Sequence, residues 1–247
     1  MRNLQIIMPM GGLGSRFSNA GYKTPKPLIM VDGVPMFKKS LSSLDSIKAH
    51  KDYFFVIRKE DIEKYSLDNM ILNHEPKSKI IVLDKNTKGA SETAYKAKKN
   101  LNPEDGLLII DCDLWFSSTE YTNTVIKSLN GKLDIDGALL TFNSTNSRYS
   151  YALTDDSNIV QKTAEKIVIS KKAITGAYYF SKAQYFTIAC EELFKTPLDD
   201  EIREYYISSL YNILVSKGYK ILATKVDKQA HFGTPDELNH YLKDGLV

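Results

Sequence analysis

The residues best suited to chemistry lie in two short segments near the start of the chain. Segment 8–17 (MPMGGLGSRF) has three glycines within four positions: Gly11, Gly12 and Gly14. Such glycines let backbone amides approach a ligand closely, and Arg16 adds a planar, permanent positive charge suited to phosphate oxygens. Segment 23–28 (KTPKPL) fixes Lys26 between two prolines. A glycine loop followed by two cations predicts a site for a nucleoside triphosphate.

Two common phosphate-binding motifs do not fit this loop. No Gly-Lys-Ser/Thr follows the glycines, which excludes a P-loop. The glycine spacing also differs from the dinucleotide fingerprint, and no acidic residue closes a second strand at the required distance. An ordinary strand-to-helix turn is the remaining alternative, but the arginine and the Pro-Lys-Pro segment favour a ligand site.

Two acidic residues follow the apolar run 107–110 (LLII). Carboxylates at the carboxyl end of a parallel strand project into the crevice where such sheets bind ligands. Asp111 and Asp113 are two positions apart, so an extended backbone points both the same way. Since Mg²⁺ on a triphosphate needs one or two carboxylates, this pair predicts a magnesium site; a solvated acidic turn is the alternative.

Segment 87–93 (TKGASET) lies between a predicted strand and a predicted helix. Its glycine lets a flat ring lie against the backbone, while the small residues and the helix start offer amides and hydroxyls to a base. The nucleotide-binding residues predicted here are Thr87, Gly89 and Ala90. The alternative is a plain helix cap at Ser91 or Thr93.

Segment 6–28 resembles the signature of nucleotidyltransferases that make activated sugars and alcohols: Gly-Gly-x-Gly-x-Arg, a spacer, then Pro-Lys-Pro-Leu. These are the sugar-1-phosphate nucleotidyltransferases and their cytidylyltransferase relatives. The resemblance continues more weakly through most of the chain and looks closest to the capsule-biosynthesis members of bacterial surface-polysaccharide gene sets. It implies transfer of a nucleoside monophosphate to a phosphorylated acceptor, with CTP favoured over dTTP or UTP because the chain is short. Sugar phosphates, phosphocholine and phospho-amino acids such as phosphoglutamine remain open as acceptors.

The resemblance also implies roles for single residues. It assigns catalysis to Arg16, Lys26 and Asp113, with Mg²⁺ on Asp113. It assigns the nucleotide to Met10, Gly11, Gly12, Gly14, Ser15, Thr87, Gly89, Ala90 and Asp111. It assigns the acceptor to Tyr151, Glu165, Lys166 and Gly176. In such a site the glutamate accepts hydroxyls and the lysine binds phosphate, although a Glu-Lys dipeptide alone is also typical of a solvated face.

The end of the chain departs from that pattern. Segment 231–238 (HFGTPDEL) matches a Gly-Thr-Pro-x-x-Leu ending, but His231 stands where sugar-specific members carry a second metal-binding aspartate. Imidazole is a poor ligand for Mg²⁺. We therefore expect Asp227 to complete the metal site, and His231 either to pack or to orient an acceptor.

Composition narrows the class of protein. The 247 residues are 43% hydrophobic and 26% charged, which is typical of a soluble globular chain. A net charge of +3 without a basic tail gives no reason to expect nucleic acid as a partner. No apolar run suggests a membrane span or a signal segment. Cys112 and Cys190 have no metal-ligand spacing, so we expect a cytoplasmic protein. The sequence does not fix the oligomeric state, and a homo-oligomer is compatible with it.

Alternating apolar runs and helical patterns predict an α/β fold: a Rossmann-like, mixed but mostly parallel sheet flanked by helices in three layers. The predicted strands are 4–8, 53–57, 79–83, 107–110, 138–142, 151–153, 159–160, 167–169, 177–180 and 221–226, and the predicted helices include 35–48, 59–73, 90–100 and 201–217. We expect one domain over 1–247, with a nucleotide half (1–114) and an acceptor half (115–247). A glycosyltransferase of related fold or a non-catalytic regulatory homologue are the alternative functions.

Overall fold

A sheet of nine strands forms the centre of the computed structural model, which describes residues 2–198 and 203–245. The strands of the chain are β1 (Leu4–Met10), β2 (Met30–Val31), β3 (Val34–Pro35), β4 (Lys51–Arg58), β5 (Lys79–Leu83), β6 (Gly106–Ile110), β7 (Leu114–Ser117), β8 (Gly137–Asn143), β9 (Ser150–Thr154), β10 (Val160–Glu165), β11 (Lys172–Phe180), β12 (Ile221–Lys225) and β13 (Lys228–His231). The main sheet runs in the order β10-β9-β11-β6-β1-β4-β5, with β8 between β11 and β12. The predicted α/β fold with a mixed sheet is confirmed.

The first half of the chain forms the parallel part of the sheet. β1 pairs in parallel with β4 on one side and β6 on the other, and β4 pairs with β5. All five residues of β6 are buried, as expected for a strand covered on both faces. Because β1 and β6 are parallel neighbours, the glycine loop after β1 and the acidic turn after β6 lie at the same edge of the sheet.

The second half of the chain adds antiparallel strands to that sheet. β11 pairs antiparallel with β6 and β8, and its register against β8 shifts between Ile174 and Tyr178. This irregularity surrounds Gly176, whose φ of +102° bends the strand beside the acidic turn. Outside the main sheet, β13 pairs antiparallel with β7 and brings the end of the chain to the same edge.

Helices cover both faces of the sheet. They are α1 (Ser15–Asn19), α2 (Met36–Leu41), α3 (Lys59–Tyr65), α4 (Leu67–His74), α5 (Ala90–Tyr95), α6 (Thr119–Leu129), α7 (Ala183–Leu193), α8 (Ile207–Ser216) and α9 (Pro235–Asp244). The core on one face includes side chains of α2, α4 and α6, and the core on the other includes side chains of α5, α7 and α8. The three-layer prediction is therefore confirmed. In the described residues no helix is both long and apolar enough to cross a membrane.

Several predicted elements differ from the structure. The predicted strand 167–169 is wrong, because the strand is β10 and the chain turns at Lys166, whose φ is +56°. The predicted helix 59–73 is two helices, separated at Ser66 with a φ of +53°. The helix predicted over 201–217 begins only at Ile207; residues 201–202 lie outside the described residues. The predicted helices 35–48 and 90–100 also break early, and each continues as a short 3₁₀ turn.

Candidate active site

Two adjoining cavities open at the carboxyl ends of β1 and β6. The larger, about 650 Å³, is lined by the glycine loop, by segment 86–90 and by Lys26. The smaller, about 320 Å³, is lined mainly by residues from β9, β10, β11 and the end of the chain. Ala90, Asp111 and Asp113 line both cavities, so the acidic turn lies at their junction.

The glycine loop is shaped by close contacts to its neighbours. Gly14 has a φ of +63°, and a Cβ atom on it would lie 3.3 Å from Cβ of Lys26. A Cβ atom on Gly11 would lie 2.8 Å from the Leu83 side chain. These glycines therefore let the loop pass close to both β5 and the Pro-Lys-Pro segment. The predicted nucleotide residues that line the larger cavity here are Met10, Gly11, Gly12, Gly14 and Ser15.

The two predicted cations, Lys26 and Arg16, lie in different surroundings. The ammonium of Lys26 lies 2.6 Å from Oδ2 of Asp113, and the two side chains are 26% and 20% exposed. Burial alone would lower the pKa of Lys26, but the negative charge of Asp113 raises it above its usual value. Burial opposes the charge on Asp113 as well, yet Lys26 holds the pKa of that carboxyl below its usual value. Arg16 is exposed and lines the smaller cavity, at the side nearest the loop.

The pKa values of Asp111 and Asp113 are shifted in opposite directions. Burial and the neighbouring charge of Asp113 raise the pKa of Asp111 to about 8. Its backbone is fixed by an N–H bond to the Gly176 carbonyl (3.0 Å) and by the Ser40 hydroxyl, which donates to its carbonyl (2.6 Å). A Cβ atom on Gly176 would lie 2.5 Å from Oδ2 of Asp111. The glycine in β11 thus makes room for this carboxyl group.

The loop that contains Thr87, Gly89 and Ala90 is held by a segment far along the chain. The amide of Tyr205 donates to the Lys88 carbonyl (2.8 Å), and the amide of Ser91 donates to the Tyr205 carbonyl (3.0 Å). A Cβ atom on Gly89 would lie 2.6 Å from both the N and the O of Tyr205. All three predicted residues line the larger cavity, together with Arg203 and Glu204.

The structure separates the four predicted acceptor residues. Glu165 lines the smaller cavity, and its carboxylate accepts hydrogen bonds from Ser150 and from Ser208 (2.9 Å). Gly176 lines the same cavity. Lys166 is exposed, is not among the lining residues, and donates to the Tyr206 hydroxyl (2.9 Å).

Tyr151 is not brought to the cavity. It is fully buried, and its hydroxyl donates to the Asn146 carbonyl (2.7 Å). Side chains alternate along β9, so Tyr151 points away from the face on which Ser150 lines the cavity. Its neighbours Tyr149 and Ser150, which we did not predict as site residues, line the cavity instead.

The structure does not bring Asp227, which we predicted to complete the metal site, next to Asp113. Asp227 lies in the turn between β12 and β13, where its carboxylate accepts hydrogen bonds from the amide (2.8 Å) and hydroxyl (3.0 Å) of Thr119. β13 pairs with β7 so that the Asp227 amide bonds to Ser117 and the Phe232 amide bonds to Asp113. At about 3.3 Å per residue, Asp227 is roughly 15 Å along this pair from Asp113. Its role here is to stabilise the start of α6.

The end of the chain contributes other groups to the smaller cavity. The His231 ring packs on Phe142 and Tyr149, with centroids 5.5 Å apart in both cases, and burial lowers its pKa. Its Nε2 is buried without a hydrogen-bond partner among the described residues. Packing agrees with the expectation for this histidine.

Arg148 and Glu237 form an ion pair that also lines this cavity. Neither was predicted as a site residue. Glu237 lies within segment 231–238, which matches the family ending, but a single arginine or glutamate in a loop or a first helical turn carries no signal of its own. The structure brings them together because β13 and α9 return to the edge where β9 begins.

Comparison with known proteins agrees with this geometry. Residues 4–231 match the model of the family described as Nucleotidyl transferase. The chain belongs to that family. Among solved structures, a nucleoside-diphosphate-sugar pyrophosphorylase from Vibrio cholerae RC9 superimposes with a TM-score of 0.84 and 26% sequence identity, covering 97% of this chain and 100% of the other.

Two further solved structures share the fold. A putative glucose-1-phosphate thymidylyltransferase from Bacillus anthracis gives a TM-score of 0.75 at 18% identity, covering 96% of this chain and 93% of that one. An inositol-1-phosphate CTP transferase from T. maritima gives 0.73 at 14% identity, covering 100% and 98%. No curated protein sequence matches the chain significantly. These neighbours include enzymes named for different nucleotides, so the base specificity of this nucleotidyltransferase is a separate question.

Proposed function

We propose that this nucleotidyltransferase transfers a nucleoside monophosphate, with CTP favoured as donor, to a phosphorylated acceptor and releases pyrophosphate. The observation that carries the proposal is the meeting of two cavities at the Lys26–Asp113 pair. The larger cavity has the glycine loop and the volume for a nucleotide, and the smaller has the carboxylate and hydroxyl groups for a small polar acceptor.

The reaction requires positioning and charge neutralisation more than proton transfer. A phosphate monoester is already nucleophilic, so its oxygen attacks the α-phosphorus in line and the bond to pyrophosphate breaks. Lys26 lines the larger cavity and pairs with Asp113, and we propose that it contacts both the α-phosphate and the incoming phosphate. Arg16, the second residue of the helix after the glycine loop, is proposed to hold the leaving phosphates.

Mg²⁺ is proposed to bind at Asp113. The residues fit this ion for two reasons. Lys26 favours the ionised form of the Asp113 carboxyl. The space beside Oδ2 of Asp113 is open because Gly233 has no Cβ atom, which would otherwise lie 2.9 Å from that oxygen. Within residues 2–198 and 203–245, no three His, Cys, Asp or Glu side chains are grouped to hold a metal ion. The ion would therefore need phosphate and water ligands beside Asp113, and when bound it would offset the charge of the transferred phosphate.

Among the acceptors left open, the smaller cavity favours a sugar phosphate. Glu165 is fixed by two serine hydroxyls, and its carboxylate has further lone pairs for sugar hydroxyls. A quaternary ammonium such as choline would need open aromatic faces. The rings of Tyr149 and Tyr206 instead carry Arg148 and Lys166 at 4.7 Å and 4.9 Å from their centroids. Phosphocholine is therefore the less suitable acceptor. Phosphoglutamine remains a candidate.

The remaining assignments stay predictions. Lys166 as a phosphate ligand, the division into a nucleotide half (1–114) and an acceptor half (115–247), a homo-oligomeric state and a cytoplasmic location rest on the sequence argument. The same holds for a role in surface or capsular polysaccharide synthesis, which rests on the resemblance alone.

A panel of pyrophosphate-release assays tests the proposal. The purified protein is incubated with CTP, UTP, dTTP, ATP or GTP and with glucose 1-phosphate, inositol 1-phosphate, phosphocholine or phosphoglutamine, with and without Mg²⁺. We expect Mg²⁺-dependent release that requires an acceptor and is fastest with CTP and a sugar phosphate. In a parallel incubation with a nucleotide-sugar donor, release of free nucleoside diphosphate would indicate a glycosyltransferase. No turnover in any incubation would favour a regulatory homologue.

A further inference from the structure

Arg148 and Glu237 form an ion pair, and both side chains line the smaller cavity. Arg148 precedes β9, and its guanidinium bonds to Oε1 of Glu237 in the first turn of α9. The Arg148 guanidinium also lies 4.7 Å from the centroid of the Tyr149 ring. The arginine side chain is 44% exposed, whereas that of Glu237 is 15% exposed. The cation is therefore the accessible member of the pair.

The charges in the cavity show what an acceptor would meet there. Four carboxyl side chains line it: Asp111, Asp113, Glu165 and Glu237. Among its described lining residues, the arginines are Arg16, next to the glycine loop, and Arg148. Burial lowers the pKa of the third basic residue, His231. A phosphate monoester with up to two negative charges would be repelled by the ionised carboxylates among them unless a cation beside it offset that repulsion, and the nearby Lys26 already faces Asp113.

Arg148 is also near the place where transfer is proposed. A Cβ atom on Gly233 would lie 2.9 Å from Oδ2 of Asp113 and 3.2 Å from Oε2 of Glu237, so these two carboxylates share the space above that glycine. A phosphate bound to Arg148 would therefore stand beside the acidic turn. A guanidinium fork binds phosphate and carboxylate oxygens with the same geometry, so a phosphate can replace Glu237 on it. Glu237 would keep its hydrogen bond from the Thr234 hydroxyl.

We propose that Arg148 binds the phosphate of the acceptor, and that Glu237 holds Arg148 in position until the acceptor replaces it. This inference rests on the proposed function and names the residue that selects a phosphorylated acceptor. Lys166 does not fill this role in the present arrangement, because its ammonium is bonded to Tyr206 outside the lining of the cavity.

A matched pair of variants separates this role from a structural ion pair. Arg148→Gln and Glu237→Gln both remove the pair, so a merely structural role predicts equal effects. If Arg148 binds phosphate, Arg148→Gln raises the KM for glucose 1-phosphate about 10- to 100-fold, the usual loss for hydrogen bonds to a charged group. Glu237→Gln should lower that KM, because the competing carboxylate is gone. Arg148→Lys should give an intermediate KM, and the KM for CTP should stay within twofold in both arginine variants.

A binding measurement keeps the test independent of the true acceptor. Inorganic phosphate is titrated calorimetrically into the protein saturated with a non-hydrolysable CTP analogue, and urea midpoints verify that each variant is folded. Weaker phosphate binding in Arg148→Gln with equal or tighter binding in Glu237→Gln supports the proposal. Equal weakening in both variants, or unchanged binding in Arg148→Gln, overturns it. Failure of the wild type on the whole acceptor panel would instead refute the proposed function, since phosphate binding can still be compared.

Discussion

Gly89 allows the nucleotide loop and residues 203–206 to approach each other, and Gly89→Ala is expected to separate them. The glycine has a φ of +140° and a ψ of 175°, a region that side chains with a Cβ atom essentially avoid. The added methyl group would lie 2.6 Å from the N and O atoms of Tyr205. Those atoms belong to the backbone and cannot rotate away, so the two hydrogen bonds between Tyr205 and the loop are lost.

The cost can be estimated from these contacts. The strained backbone accounts for about 1–3 kcal/mol. The two backbone hydrogen bonds add about 0.5–1.5 kcal/mol each. We therefore expect Gly89→Ala to lower the free energy of unfolding by about 2–6 kcal/mol, measured by urea denaturation. Because Arg203 and Glu204 line the larger cavity, the KM for the nucleotide should rise in the same variant.

Gly12→Ala is the matched control. It lies in the other loop of the same cavity, but a Cβ atom on Gly12 meets nothing within 4 Å, so the free energy of unfolding should change by less than about 0.5 kcal/mol. A Gly89→Ala protein as stable as Gly12→Ala, with an unchanged nucleotide KM, would refute the argument that the close approach at Gly89 holds the loop.

Four further predictions concern charged side chains at the junction and at the start of α6. Arg16→Ala and Lys26→Ala should each lower kcat/KM by about 10²–10³ with an unchanged circular dichroism spectrum, and near-normal turnover would contradict their roles. Asp113→Asn should reduce turnover far more than Asp111→Asn near pH 7, because Asp113 is the proposed magnesium ligand, whereas burial raises the pKa of Asp111 and favours its neutral form. The folded state binds the Asp111 proton more tightly than the unfolded chain does, so the free energy of unfolding falls as pH rises from the ordinary aspartate pKa, about 4, towards 8. In metal-free buffer the wild type should therefore lose stability between pH 4 and 8 relative to Asp111→Asn. Asp227→Ala should cost about 0.5–2 kcal/mol in urea denaturation through the start of α6 and leave the Mg²⁺ dependence unchanged, whereas altered Mg²⁺ dependence would restore Asp227 to the metal site.

The sequence pattern predicted the parts of the site whose residues are neighbours in the chain. The apolar run of β1, the glycines after it and the prolines around Lys26 are adjacent in sequence, and they form one strand, loop and turn. The buried run of β6 likewise ends at the acids that it positions. Two element boundaries were wrong because a non-glycine residue has a positive φ. Ser66 divides one predicted helix into two, and at Lys166 the strand has already ended, although apolar residues follow it.

The sequence by itself determined the α/β fold class, the glycine loop, Lys26 and the acidic turn, because each depends on residues that are neighbours in the chain. Tertiary structure alone decided which distant groups join them. It paired Lys26 with Asp113, moved Asp227 to the start of α6, buried Tyr151 and brought Arg148 to Glu237. These contacts depend on strand register and on how β13 and α9 return to the sheet edge. Register and chain path are set by packing over the whole domain, which no local spacing encodes.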